Sequence, residues 1–355
     1  MDGKAFQFLQ DMIEAPSPSG FEVHAQECVR RRLKTASRDV ETDIHGNVIA
    51  RLNRGAPLRI MLAGHCDEIG FLVTHVSEEG FLFVQPVGGV DLALMPGQRV
   101  HVYSGRKRVL GVIGKKPIHL MSPEDRKSVP KAHDLWVDIG ARNRKDALRQ
   151  VQVGDVVTVA QGLSRMANDL AVSRAFDDKI GVFVVVEAFC RLSRVRGLRA
   201  EVAAVSTVQE EIGLRGARTS AFGIEPQVGI AVDVGFASDY PGAEKKIIGE
   251  VRLGRGPILH RGPTTNPVVG RLLAEVARKR KIPCQFAAES RASGTDANVI
   301  QISRSGVAAG LVSIPNRYMH TPAEMVSLRD TENAIRLLVA FVQELEPGTD
   351  FTPRP

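Results

Sequence analysis

Hydrophobic and polar positions follow two different periods along the 355-residue chain. Helical spacing marks about 4–14 and 21–35, and the apolar run LRIMLAGH that comes later is typical of a buried strand. From 70 to 162 helical spacing is almost absent, and short β-rich runs are separated by glycine, proline and charged turns. From 163 onwards strands and helices alternate again, up to an amphipathic helix at about 331–345.

This pattern predicts an α/β fold that carries an inserted all-β domain. Strands that alternate with helices form a mixed, largely parallel sheet with helices on both faces. We assign residues 1–69 and 163–355 to the two parts of the α/β domain, and residues 70–162 to a small all-β domain inserted between them. In such sheets ligands bind beyond the carboxyl ends of the strands, so functional side chains are expected there.

The composition is that of an ordinary globular protein, with 43% hydrophobic and 25% charged residues. Lysine and arginine outnumber aspartate and glutamate by 47 to 40, and the net charge of +7 permits loose attraction to nucleic acid or anionic membranes. Aromatic residues make up only 5% of the chain and do not interleave with the basic groups, so we expect no specific nucleic-acid partner. No run approaches the roughly 20 apolar residues of a membrane span, so we expect no membrane partner.

The cysteines and the first residues of the chain bear on its location. The four cysteines are widely spaced and form no CxxC pair, which argues against a zinc ribbon or a disulfide scaffold. The first 20 residues lack the charged segment and long apolar core of a signal peptide. We therefore expect the protein in a reducing cytoplasm.

Acidic and imidazole side chains recur where predicted strands end, first in the segment MLAGHCDEIGF. In an extended chain His65 and Asp67 share one face, and Cys66 points to the other. A metal-bound imidazole is usually held through its second nitrogen by a nearby carboxylate, and this pair could supply both groups. An HxD triplet is also common in proteins without any metal.

Three further segments place carboxylates at comparable positions. Asp177 and Asp178 precede a helix, where an aspartate either caps the helix N-terminus or bridges two cations with its two oxygens. Glu210 and Glu211 are adjacent at the end of the strand EVAAVSTV, where they repel each other unless solvent or a cation compensates. Asp233 interrupts the apolar strand VGIAVDVGF, which requires pairing with a metal cation, an arginine or a lysine.

His320 comes after the last strand, in the segment RYMHTPAEM, and a single histidine before Thr-Pro is usually an ordinary loop residue. Taken together, however, the five segments provide two histidines, three carboxylate ligands and one additional glutamate at the same kind of position. Oxygen and imidazole ligands suit Zn²⁺, Co²⁺ or Mn²⁺. The combination therefore predicts a site for paired divalent ions.

Six motifs occur along the chain in the order GHCDEIGF, FDDKIG, VQEEIGLRGA, AVDVGF, SGTDANVIQIS and IPNRYMHTPAEMVSLRD. Together they resemble the M42 family of metallo-aminopeptidases, which includes the glutamyl aminopeptidases and the tetrahedral, self-compartmentalising aminopeptidases. The match spans nearly the whole chain. The resemblance implies an enzyme that hydrolyses N-terminal residues from peptide substrates with a free N-terminus.

The resemblance also implies the ligand set. Each subunit would hold two divalent metal ions, with Zn²⁺ or Co²⁺ expected first and Mn²⁺ third. His65 and Asp233 would bind one ion, Glu211 and His320 would bind the other, and Asp177 would bridge both. These assignments come from the family and not from the spacing of the residues.

Further roles follow from the same resemblance. Glu210 would be the general acid/base that acts on a metal-bridging water, and Asp67 would orient His65. The peptide bond after the bridging Asp177 would be cis. Cys66 stands where the family more often has a hydrophobic residue such as methionine, which leaves oxidation sensitivity open.

In the M42 family the β-rich inserted domain typically mediates dimerisation. The resemblance therefore implies a homo-oligomer with a dimer as its building block, which in many members extends to a hollow tetrahedral dodecamer. In this view residues 1–69 and 163–355 form the catalytic domain.

Alternative functions remain open from the sequence. Another di-metal amidohydrolase, such as a carboxypeptidase or a deacylase, needs a basic group that holds the substrate carboxylate. An endoglucanase needs two carboxylates that flank a sugar without metal. A non-catalytic basic scaffold would bind DNA in a salt-sensitive manner and would hold no metal.

Overall fold

The structure, a computed structural model, describes residues 2–354. Its α-helices are α1 (Gly3–Glu14), α2 (Val23–Leu33), α3 (Arg144–Ala147), α4 (Phe176–Leu192), α5 (Arg215–Ile224), α6 (Lys245–Ile248), α7 (Pro267–Lys279), α8 (Ala297–Ile300) and α9 (Leu328–Glu344). Its β-strands are β1 (Val40–Thr42), β2 (Val48–Leu52), β3 (Arg59–His65), β4 (Gly70–Val76), β5 (Leu82–Val87), β6 (Arg99–Ser104), β7 (Lys107–Gly114), β8 (Trp136–Asp138), β9 (Val156–Val159), β10 (Ser164–Arg165), β11 (Leu170–Ser173), β12 (Glu201–Thr207), β13 (Val228–Phe236), β14 (Ile258–Arg261), β15 (Gln285–Ala288), β16 (Ala308–Arg317) and β17 (Glu324–Ser327).

Within residues 2–354, eleven strands form one mixed sheet in the order β1-β2-β12-β3-β13-β16-β17-β11-β10, and β14 and β15 extend it from β16. The central strands β12, β3, β13 and β16 run parallel to one another. The flanking pairs are antiparallel except for β14 with β15. The predicted mixed α/β sheet is confirmed, with the parallel pairing concentrated at its centre and at the β14/β15 edge.

Helices cover both faces of the sheet because alternate strand residues enter two different cores. In β3, Ile60 and Leu62 enter the larger core with α1, α2, α4, α7 and α9, whereas Met61 and Ala63 enter the smaller core with α5 and α8. From Ile180 onwards helix α4 is mostly apolar, and it is buried along nearly its whole length, as expected for a helix enclosed by other elements. Because α4 is enclosed in this way, its N-terminus is held in a fixed position near one edge of the sheet.

The inserted segment forms a separate closed barrel with strand order β4-β5-β8-β7-β6-β9. Its interior is a hydrophobic cluster of its own, built from alternate residues such as Phe71, Val73, Val100 and Val102. The inserted all-β domain is confirmed by this barrel. The limits of 70 and 162 stay a prediction.

Some elements differ from the expected pattern. Helix α5 is not predicted: its buried face has a helical period, but it consists mainly of the small residues Gly216, Ala217, Ser220 and Ala221, which offer few bulky apolar side chains. The helix expected in TDANVIQIS is limited to Ala297–Ile300. In the described part of the chain, no helix is both long and apolar enough to cross a membrane.

Candidate metal centre

The predicted site residues converge at the carboxyl ends of the central parallel strands. His65 is the last residue of β3, and Thr207 at the end of β12 lies beside it in the parallel register. Glu210 and Glu211 follow β12, and Asp233 lies in the second half of β13. Because parallel strands end at the same edge of a sheet, residues far apart in sequence meet here.

Asp177 lies between the two histidines of the centre. Its Oδ1 is 3.2 Å from Nε2 of His65, and its Oδ2 is 3.2 Å from Nε2 of His320, which follows β16. Asp177 and Asp178 have non-helical dihedral angles at the start of α4, and the peptide bond between them is cis, as the resemblance implies. Each oxygen of one carboxylate thus faces a different imidazole, the arrangement expected of a bridging ligand.

The remaining carboxylates complete two overlapping groups of potential ligands. Atoms of His65, Asp177 and Glu211 lie within 4.8 Å of one another, and so do atoms of His65, Asp178 and Asp233. Glu211 Oε2 is 3.6 Å from His320 Nε2. The structure therefore brings all five predicted ligands together.

Burial and neighbouring charges shift the pKa values of the carboxylates and histidines in the centre. Burial together with the charge of Asp177 raises the pKa of Glu211 to about 8, and burial raises the pKa of Asp233 well above its usual value. The hydrogen bond to Asp177 raises the pKa of His320 to about 9. Burial opposes charge on His65, but the surrounding carboxylates outweigh it and raise its pKa.

Two observations show that divalent ions fit this centre. Oε1 of Glu211 is buried without a hydrogen-bond partner among residues 2–354, although a buried carboxylate oxygen normally has one. The donors are carboxylate oxygens and imidazole nitrogens, which suit Zn²⁺, Co²⁺ and Mn²⁺.

The nearest buried cations do not neutralise the centre. Arg174 and Lys179 both pair with Glu68, and the Lys179 Nζ lies 2.9 Å from Glu68 Oε1. Glu68 is itself buried and also accepts a hydrogen bond from the backbone N–H of Ser17 at 3.0 Å. These basic groups are therefore engaged, and lysine or arginine pairing does not explain the clustered carboxylates.

Comparison with known proteins identifies the family of this chain. Residues 46–337 match the family model described as M42 glutamyl aminopeptidase. The chain belongs to the M42 family. It is accordingly an aminopeptidase, a hydrolase that acts on peptide bonds, in a family of metal-dependent enzymes.

Similar proteins match this M42 aminopeptidase over nearly their full length. The lysyl aminopeptidase of Pyrococcus furiosus is 38% identical over 351 residues, which are 98% of this chain and 99% of that protein. The TET aminopeptidase from the marine sediment archaeon Thaumarchaeota archaeon SCGC AB-539-E09 superposes with a TM-score of 0.92 at 34% identity, covering 97% of each chain. The TET1 peptidase of Pyrococcus horikoshii gives a TM-score of 0.86 at 32% identity, covering 96% of this chain and 100% of that one, and can assemble into a tetrahedron or a large octahedral shell.

In this M42 aminopeptidase, Asp67 supports three neighbouring residues. Its Oδ1 and Oδ2 accept hydrogen bonds from the backbone N–H groups of Glu210 and Glu211 at 3.0 and 3.1 Å. Its backbone oxygen lies 3.1 Å from Nδ1 of His65, and its Oδ1 lies 3.4 Å from the same nitrogen. Asp67 thus holds the His65 ring and the two adjacent glutamates in one arrangement.

Two further buried carboxylates support the M42 centre in a way that was not predicted. Oδ2 of Asp178 accepts the backbone N–H of His65 at 3.2 Å, and its Oδ1 accepts that of Gly181 at 3.0 Å. A methyl group on Gly181 would overlap the Asp178 carboxylate, so glycine is needed there. Asp178 is therefore more than the helix cap that its position before α4 suggests.

Glu324 is the other unpredicted support. Its Oε2 accepts the backbone N–H of Asp177 at 2.8 Å, and its Oε1 accepts that of His320 at 2.9 Å. It is buried at the start of β17, four residues after His320. The sequence signal was a carboxylate in the HTPAE segment, but its partner at Asp177 is 147 positions away.

We expect Glu324→Gln to weaken metal binding about 10- to 100-fold, the usual cost of losing a support behind a metal ligand. The amide has only one accepting oxygen, so one of the two backbone N–H groups would face an amide N–H. Chelator-competition titration measures the affinity. Glu344→Gln, on the exposed end of α9, is the control and should bind metal like the wild type. Unchanged affinity in Glu324→Gln would contradict this role.

The metal centre of this M42 enzyme opens into a cleft of about 580 Å³. Apolar side chains line part of the cleft, and polar or charged side chains line the rest: Leu214, Phe236 and Met319, then His260, Glu289, Ser293, Thr295, Asn298 and Ser313. No lysine or arginine contributes to its described lining, although the chain carries a net charge of +7. The cleft is therefore suited to a positively charged group.

Cys66 points away from this cleft. Its side chain is fully buried and belongs to the larger core. Burial raises the pKa of its thiol well above the usual value, which keeps it protonated. The departure from the family pattern therefore places a small hydrophobic group in the core and leaves the ligand set unchanged.

Proposed function

We propose that this M42 aminopeptidase uses two divalent metal ions to hydrolyse the N-terminal residue from peptides with a free N-terminus. The observation that carries the proposal is the position of Asp177, whose two oxygens each lie 3.2 Å from a different histidine. One carboxylate can reach two ions only from such a position. Glu210 and Glu211 lie beside this pair, at the same edge of the sheet.

The ligand assignment follows from these positions. His65 and Asp233 would hold one ion, Glu211 and His320 the other, and Asp177 both. Zn²⁺ or Co²⁺ is the first expectation and Mn²⁺ the next, because all three accept imidazole and carboxylate ligands. When bound, a pair of such ions lowers the pKa of a shared water and polarises the scissile carbonyl.

Glu210 has the position of a general acid/base. Its Oε2 lies 3.7 Å from Nε2 of His65, and its side chain lines the cleft. The hydrogen bond from the backbone N–H of Glu210 to Asp67 holds Glu210 in this position. From this position Glu210 accepts a proton from the attacking water and later donates it to the leaving amine.

The cleft lining favours an aminopeptidase over a carboxypeptidase. A carboxypeptidase needs a basic group to hold the substrate carboxylate, and the described lining contains no lysine or arginine. An aminopeptidase needs negative groups near the substrate ammonium, and the lining provides carboxylates. Acylation of the substrate N-terminus would remove the charge that this surface attracts.

The direct test is hydrolysis of a panel of aminoacyl p-nitroanilides by apo enzyme reconstituted with Zn²⁺, Co²⁺ or Mn²⁺. We expect the activity to require metal. We also expect kcat/KM to fall at least about 100-fold on N-acetylated substrates, because acetylation removes the ammonium charge; this fall corresponds to about 2.8 kcal/mol of lost interaction. Chelator-insensitive activity, or equal cleavage of acetylated and free substrates, would refute the proposal. Cleavage of C-terminal residues or of cellulose would favour the alternative hydrolases instead.

We also propose that the enzyme is a homo-oligomer built from dimers, with a dodecamer as its largest form. The support is the similarity to TET peptidases that form such assemblies, together with the β-barrel inserted between residues 70 and 159. Light scattering coupled to gel filtration measures the mass, with 38.6 kDa expected for a single chain. A monomer at micromolar concentration would contradict the proposal.

A further inference from the structure

The wall of the cleft contains a histidine–glutamate pair that the proposed chemistry does not use. Nδ1 of His260 lies 2.8 Å from Oε1 of Glu289, and Nε2 of His260 lies 2.9 Å from the hydroxyl oxygen of Ser313. His260 is buried, whereas the side chain of Glu289 keeps 31% of its surface exposed. Both residues line the cleft that contains the metal centre.

The sheet register gives the distance between this pair and the centre. Asp233 of β13 lies directly beside Ser313 of β16, and His260 belongs to β14, the next strand across. Neighbouring strands are about 4.8 Å apart, so β14 is roughly 10 Å from β13. The Glu289 carboxylate, in contact with His260, therefore lies about one long side chain away from the centre.

The charge of Glu289 has no permanent partner in the cleft. Two divalent cations would balance the four carboxylates of the centre, which are Asp177, Glu210, Glu211 and Asp233. No lysine or arginine in the described chain lies within ion-pair distance of Glu289, and the ion-pair contact that it makes is with His260. Nε2 of His260 is engaged by the Ser313 hydroxyl, and its Nδ1 lies 2.8 Å from Glu289 Oε1 without an aligned hydrogen bond. Among the described residues the Glu289 carboxylate therefore remains available to a cationic group in the cleft.

We propose that Glu289 selects substrates whose N-terminal residue is lysine or arginine. The inference rests on the proposed function, since it assumes that the substrate α-amino end lies at the metal centre. A lysine side chain reaches about 6 Å from Cα to Nζ, which spans the gap between the centre and the Glu289 carboxylate. The apolar side chains of Leu214, Phe236 and Met319 can contact its methylene groups while the charged end meets Glu289.

The same charge disfavours acidic N-terminal residues. A glutamate side chain in this position would face Glu289 in a cleft whose described lining contains no lysine or arginine, and like charges in a partly desolvated cleft repel. The basic composition of the whole chain does not change this preference, because the selecting charge is local. The family description as glutamyl aminopeptidase is therefore not expected to describe the preference of this chain.

The experiment compares kcat/KM for Lys-, Arg-, Leu- and Glu-p-nitroanilide with the metal-reconstituted wild type and variants. We expect the wild type to prefer Lys over Leu about tenfold or more, and Glu289→Gln to reduce that Lys/Leu ratio about tenfold, a change of about 1.4 kcal/mol. Glu289→Lys should raise the Glu/Leu ratio above that of the wild type. Glu275→Gln on α7, whose glutamate pairs with Arg271 outside the cleft, should keep the wild-type ratio.

The outcomes separate the inference from the proposed function. If no variant and no wild-type preparation hydrolyses any free aminoacyl substrate with metal, the proposed function itself fails. If the wild type is active but prefers Leu or Glu, or if Glu289→Gln leaves the Lys/Leu ratio unchanged, only the assignment of Glu289 is overturned. Because Glu289 is partly exposed, its substitution should not prevent folding, and a Tm close to that of the wild type checks this.

Discussion

The Glu210→Gln variant is expected to hydrolyse aminoacyl substrates about 10² to 10⁴ times more slowly than the wild type, which is the usual contribution of a general acid/base. Glutamine has nearly the shape of glutamate but cannot accept a proton from the attacking water. The backbone N–H of residue 210 would still bind Asp67, so the local structure should persist. The measurement is kcat at saturating substrate and metal.

Metal content distinguishes this role from that of a ligand. Glu210→Gln should retain two ions per chain after desalting, whereas the adjacent Glu211→Gln should lose affinity for one of them, because Glu211 belongs to the potential ligand group with His65 and Asp177. Elemental analysis of both proteins makes the comparison. If Glu210→Gln lost metal and Glu211→Gln kept it, the two roles would be exchanged.

The stability of the metal-free protein gives an independent readout. Burial and the nearby acids, including Asp233, raise the pKa of Glu210 to about 10 in the absence of metal. In the unfolded chain Glu210 loses its proton near its ordinary pKa of 4.5, whereas in the folded protein it keeps the proton up to a pH of about 10. The free energy of unfolding therefore falls as the pH rises from 4.5 to about 10. Glu210→Gln removes this loss, so the apo variant should unfold at a higher Tm than the apo wild type near pH 8.

The parts of this structure that sequence could predict are those with a regular period or an abrupt end. The run LRIMLAGH predicts β3, and the polar residues after it mark the sheet edge where His65 lies. The same reasoning located Glu210 and Asp233, because a carboxylate in or after an apolar strand is costly without a partner. The sequence alone left the partner open between a metal ion and a basic residue. In the structure Arg174 and Lys179 are bound to Glu68, which favours the metal.

The parts that sequence could not predict depend on contacts between distant segments. Glu324 accepts a hydrogen bond from the backbone N–H of Asp177, 147 positions away. No pattern of side chains along the sequence predicts such a bond. The contact of His260 with Glu289 arises only because β14 pairs with β15 at the sheet edge. Helix α5 packs on the sheet mainly through small residues, so its buried face has a helical period but lacks the bulky apolar side chains that make such a face easy to recognise.

The largest effect on metal binding is expected from Asp177→Asn. The aspartate presents one oxygen to each histidine at 3.2 Å, whereas asparagine offers one oxygen and one amide group that cannot bind a cation. At least one ion should therefore be lost, and kcat/KM should fall by about 10³ or more, since the remaining ion cannot share a bridging ligand. Metal stoichiometry and the rise in Tm on adding metal measure the loss, because a ligand stabilises only the state that binds it.

Asp178→Asn is the matched control, because Asp178 is the adjacent residue and is also buried. Its two oxygens accept backbone N–H bonds from His65 and Gly181, so the amide would lose one of these bonds. Apo and metal-bound forms should both lose stability, on the order of 1 to 3 kcal/mol, and metal affinity should fall as in Glu324→Gln, while two ions still bind at saturating metal. The opposite result, with Asp177→Asn still holding two ions and Asp178→Asn losing one, would assign the ligand role to Asp178 in its group with His65 and Asp233. Asp177 would then no longer be the bridge on which the two-ion mechanism depends.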